Sequence, residues 1–69
     1  MLSDYYKEKL KEQAEFYRQL FLDGEIDIIY AKEMIMPYIN VLNREREKLS
    51  KAYGQYLSTI TFEKFLKTY

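Results

Sequence analysis

The residues from Ile28 to Tyr56 limit the fold more than any other stretch. Counted by heptads from Ile28, one side of a helix carries Ile28, Ala31, Ile35, Tyr38, Leu42, Glu45, Leu49, Ala52 and Tyr56. All but Glu45 are apolar or aromatic, and the steps alternate between three and four residues. Met34, Ile39, Val41 and Tyr53 widen this face. The other sides carry Lys32, Glu33, Asn40, Asn43, Arg44, Glu47, Lys48 and Lys51. A strand needs strict alternation of apolar and polar residues, which is missing here. The pattern predicts one long amphipathic helix.

Pro37 falls inside it. A proline removes the amide bond to the carbonyl four residues back, here Glu33, and its ring crowds that carbonyl. Pro37 lies off the seam, so the freed carbonyl can face water. The seam keeps its register across it, which predicts one helix bent at Pro37 rather than two helices. Gly54 is the expected stop, with Lys51 favourable in the last turn. Ser58-Thr59-Ile60-Thr61 is poor helix sequence. Thr61 then caps a short last helix, Phe62 to Thr68.

Ahead of the long helix, Ser3 or Asp4 can cap a first helix that runs to about Leu22. Its inward face is Tyr6, Leu10, Gln13, Ala14, Tyr17, Leu20 and Phe21, with Phe16 at the margin. Lys7, Glu8, Lys11, Glu12, Glu15 and Arg18 form a solvated face, with Glu8–Lys11 and Glu15–Arg18 at pairing distance along the helix. Gly24 can take the left-handed conformation that closes a helix, and Asp27 is the natural cap of the next one. So short a turn makes the two helices antiparallel neighbours. The chain reads as a single all-α domain, residues 1–69: an antiparallel helical hairpin with a short C-terminal helix.

Lengths point to association. The first helix, with about 19 residues, spans roughly 28 Å, and the second, with at least 26, spans roughly 39 Å. The far end of the second, at Leu49, Ala52, Tyr53 and Tyr56, therefore needs another cover. The C-terminal segment and a second copy are both expected to contribute, the copy supplying most of the seam. Hydrophobic residues make up 48% of 69 residues, with eight tyrosines and four phenylalanines. A chain this small buries only about 60% of its unfolded surface. Two hairpins with their long helices inward, in a four-helix-bundle-like homodimer, would enclose what one cannot. The expected interface is Ile35, Tyr38, Leu42, Glu45, Leu49, Tyr53 and Tyr56, with Glu45 meeting Arg44 or Arg46 of the other copy to offset its burial.

Chemistry is scarce. There is no cysteine and no histidine, which removes thiolate ligands, disulfides, the commonest metal ligand and the usual general base. The serines lack a histidine partner, the acids fall on solvated faces or caps apart from Glu45, and no glycine-rich phosphate loop occurs. Asp23-Gly24-Glu25-Ile26-Asp27 faintly suggests a calcium loop, but the remaining ligand positions are missing. The expectation is no enzyme, no metal and no cofactor. Formal net charge is zero, which disfavours nucleic acid and anionic lipid as partners. No apolar run reaches the roughly 20 residues that span a bilayer, and the first residues are too polar for a signal peptide. A cytoplasmic location is expected.

Two functional classes survive. The first is a protein-interaction module: a small dimeric adaptor or regulator with one other protein as partner. A second stripe of Tyr5, Phe16, Tyr30, Met34 and Val41 suits partner binding or the dimer interface. Short non-catalytic helical chains are common in phages and other mobile elements, an association of size and composition. The second class is an accessory nucleic-acid-binding regulator. Arg44, Lys48 and Lys51 recur on one side of the long helix, Arg46 lies nearby, and Tyr53 or Tyr5 can stack on bases. Glu45 and Glu47 in the same run count against it.

Overall fold

The computed structural model describes residues 4–68. It contains α1 (Asp4–Leu22), α2 (Ile28–Tyr53) and α3 (Phe62–Thr68). Each boundary has a local cause. At the end of α1 the Glu25 amide donates to the Leu20 carbonyl at 2.9 Å and the Gly24 amide to Phe21 at 3.0 Å. This Schellman closure needs a left-handed residue, and Gly24 has φ +78°. Asp27 caps α2 by accepting the Tyr30 amide at 2.8 Å. Gly54, at φ +66°, ends it. Thr61 caps α3, accepting the Lys64 amide at 3.1 Å. The expected Ser3 cap lies outside the described residues.

α2 runs unbroken through Pro37. Pro37 and Glu33 are both exposed, so the carbonyl that loses its partner lies on the wet side. The two-helix alternative at this proline is therefore wrong. α1 and α2 run antiparallel: Lys7 meets Glu45, the Gln13 side chain donates to the Met34 carbonyl at 3.1 Å, and the Tyr17 and Tyr30 rings stand 5.7 Å apart.

α3 lies over the groove between the two long helices. Phe62 packs near the Phe21 ring of α1 at 6.4 Å and beneath the Lys32 ammonium of α2 at 5.6 Å. Phe65 meets the Tyr38 ring at 6.2 Å and the Arg18 guanidinium at 5.3 Å. Both rings thus touch both helices, and each contributes on the order of 2–3 kcal/mol by leaving water. The core consists of Ala14, Ala31, Ile35, Tyr38, Ile39, Ile60, Phe62 and Phe65, with Leu10, Tyr17, Phe21, Ile26, Met36, Leu42 and Leu66 packed around it.

Three expectations change. Ile35 and Tyr38 are enclosed by their own chain's helices, so the reason to place a second copy over them lapses. α3 covers the middle of the hairpin and leaves the far end of α2 exposed. Arg18 is no mere solvated charge, because it donates to the Phe65 carbonyl at 3.3 Å and helps hold α3 down.

Candidate functional site

The far half of α2 carries the surface of most interest. From Arg44 onward the helix passes beyond the main body of the core, and the chain then returns along it through residues 55–61. The return segment has no backbone ladder to join, so α2 side chains meet its polar groups. Asn43 donates to the Ile60 carbonyl at 3.0 Å and accepts the Ile60 amide at 2.7 Å. The Arg46 Nε donates to the Ser58 carbonyl at 2.9 Å. The Ser50 hydroxyl donates to the Gln55 carbonyl. Positions 43, 46 and 50 are spaced three and four apart, so they form one polar row on one helix face. That row could have been found in the sequence as a stripe of hydrogen-bonding residues beside the apolar seam, though not its partner.

Between this half of α2 and the return segment lies an open cleft of about 580 Å³. Its walls include Arg44, Arg46, Glu47, Lys51 and Tyr56. Glu47 is paired with Lys51 at 3.3 Å. Four residues expected at a functional surface, Arg44, Arg46, Lys51 and Tyr56, are thus brought together. Lys48 is exposed and lies outside the cleft lining.

The expected interface residues divide by burial. Ile35 and Tyr38 are buried, Leu42 and Glu45 half-buried, and Leu49, Tyr53 and Tyr56 exposed. Glu45 finds its partner within the chain: the Lys7 ammonium lies 2.6 Å from its carboxylate. Glu45 therefore has a cation in its own chain and does not require Arg44 or Arg46 of another copy to offset its burial. The hydrogen bond to Glu45 raises the Lys7 pKa above the ordinary 10.5, outweighing partial desolvation. Burial raises the Tyr38 pKa above 10.0, against the pull of Lys11 and Lys7. Hydrogen bonding with Tyr17 raises that of Tyr30.

Of the second apolar stripe, Val41 is buried and Met34 half-buried, while Tyr5, Phe16 and Tyr30 are exposed. At the turn end Leu22, Ile28 and Ile29 are exposed as well as Tyr30, although Ile28 was expected on the inward seam. Three adjacent large residues at the start of α2 cannot all face inward, and that was the signal for this exposure.

Among the described residues no group of three or more acids stands close enough to hold a metal ion. No described helix is long and apolar enough to cross a membrane. No protein-family model, curated protein or solved structure matches the chain.

Proposed function

We propose that the chain is a non-enzymatic helical interaction module, working as a two-fold homodimer that serves as a small adaptor or regulator of another protein. The observation that carries this reading is the uncovered end of α2. Leu49 is 48% exposed and Tyr53 72%, one helical turn apart on the same side. An isolated exposed leucine is ordinary, but a leucine–tyrosine pair on a projecting helix end is the composition of interface cores.

Charge supports an antiparallel arrangement of the two copies. Residues 22–30 at the turn end contain Asp23, Glu25 and Asp27 and no cation. Residues 44–51 at the other end contain Arg44, Arg46, Lys48 and Lys51 against Glu45 and Glu47. A second copy running the other way sets each acidic, apolar end against a basic, aromatic one, twice over by symmetry. A parallel copy sets like against like.

Sedimentation equilibrium of the full chain at micromolar concentration tests this. The expected result is a dimer that weakens as salt is raised. Leu49→Asp with Tyr53→Asp should give a monomer of unchanged helix content, because neither side chain belongs to the core. A folded monomer of the unmodified chain at that concentration overturns the dimer.

A further inference from the structure

The cleft beside α2 shares Arg44, Arg46 and Lys51 with the basic end used in the dimer reading, and its lining is chemically specific. Its volume, about 580 Å³, falls in the roughly 300–1,000 Å³ range of small-ligand sites. The chain as a whole is neutral, yet the cleft wall sets Arg44, Arg46 and Lys51 against the single acid Glu47. Glu47 is already engaged by Lys51. The two arginines therefore meet no further acid in the lining, and they are the groups with charge to offer.

Arg46 is positioned before any ligand arrives. Its Nε is committed to the Ser58 carbonyl at 2.9 Å, which fixes the plane of the guanidinium while leaving its terminal N–H groups to bind. Pre-ordering of this kind lowers the entropic cost of capture. Asn40 and Thr59 add neutral donors to the same wall. Tyr56 supplies a ring that is 86% exposed, more than any other large hydrophobic side chain described, and Leu57 lies beside it. Guanidinium forks suit phosphate oxygens, and an open aromatic face suits a planar ring.

We propose that this cleft binds a nucleotide unit, with the phosphate on Arg44 and Arg46 and the base against Tyr56. The unit has the same chemistry as a free mononucleotide or as one link of a single strand. An inorganic phosphate satisfies only the arginines, and a nucleoside only the ring.

Amide NMR titration of the full chain at constant ionic strength tests the assignment, using adenosine monophosphate, adenosine, inorganic phosphate and a single-stranded octanucleotide. The monophosphate should give saturable shifts at residues 44–51 and 55–60, with phosphate and adenosine both weaker. Arg44→Gln changes an exposed side chain that makes no hydrogen bond or ion pair among the described residues, and it should lower monophosphate affinity about tenfold or more. Tyr56→Ala should weaken the monophosphate and leave phosphate unchanged. An octanucleotide that binds much tighter, with steep salt dependence, assigns the strand as the source. Equal affinity assigns the free nucleotide. The proposal is overturned if neither the monophosphate nor the octanucleotide gives saturable shifts, if adenosine binds as well as its monophosphate, or if Arg44→Gln changes nothing. Dimerisation is read separately, by sedimentation of the unmodified chain without ligand.

Discussion

Asn43→Ala should detach the return segment and α3 from the hairpin. The Asn43 amide group serves both backbone polar groups of Ile60, at 3.0 and 2.7 Å. Ile60 itself is 3% exposed, so alanine leaves an N–H and a C=O without a partner at a buried residue. Each such loss costs about 1–3 kcal/mol. Asn43 is half-buried, so water can reach part of the gap and the lower end of that range applies, roughly 2–3 kcal/mol for both groups. Alanine is the better helix former by up to about 0.7 kcal/mol, which offsets some of the loss. The expected net cost is about 1.5–2.5 kcal/mol. A chain this size has only about 3–10 kcal/mol of stability in total, so the effect is large. Urea denaturation followed by circular dichroism measures it, with Asn40→Ala at an exposed position one turn earlier in the same helix as control, expected within about 0.5 kcal/mol of the unmodified chain. Hydrogen exchange should show α3 losing protection before the centre of α1 and α2. A cost for Asn43→Ala below about 0.5 kcal/mol would refute the claim that these two bonds anchor α3.

Two further outcomes follow from the structure. Lys7, Tyr38 and Tyr30 all have raised pKa values, so the folded chain holds their protons more tightly than the unfolded one. Their stabilisation is complete below the ordinary values of 10.0 for tyrosine and 10.5 for lysine. It is lost as pH rises through the folded values, so urea midpoints should fall in that alkaline range, and Tyr38→Phe should make the fall shallower. Gly54→Ala should cost about 1–2 kcal/mol in the same assay, because φ is +66° and an added Cβ meets nothing within 4 Å, leaving backbone strain as the only cause. Gly54→Asn should cost less, since asparagine tolerates that conformation.

The helix boundaries were legible in the sequence because each is set by atoms a few residues apart. Asp27, Gly24, Gly54 and Thr61 act on amides and carbonyls of their own turn, and local chemistry suffices to place them. The inward side of α2 was legible for the same kind of reason, since period alone shows that Ala31, Ile35, Tyr38 and Ile39 share a face. The candidate cations of the cleft were also visible as a run, Arg44 to Lys51. What lies against each face was not. Periodicity turns a side chain inward without naming its neighbour, so Ile35 and Tyr38 were assigned to a second copy when α1 and α3 already enclose them. Glu45 called for a cation, but nothing local distinguished Arg44 from Lys7, 38 residues away. Arg18 and Phe65 are 47 residues apart, and only the docking of α3 makes them neighbours. The cleft exists for the same reason: Arg46 and Asn43 belong to α2 by sequence, but their bonds to Ser58 and Ile60 depend on where the returning chain is laid, and tertiary packing alone decides that.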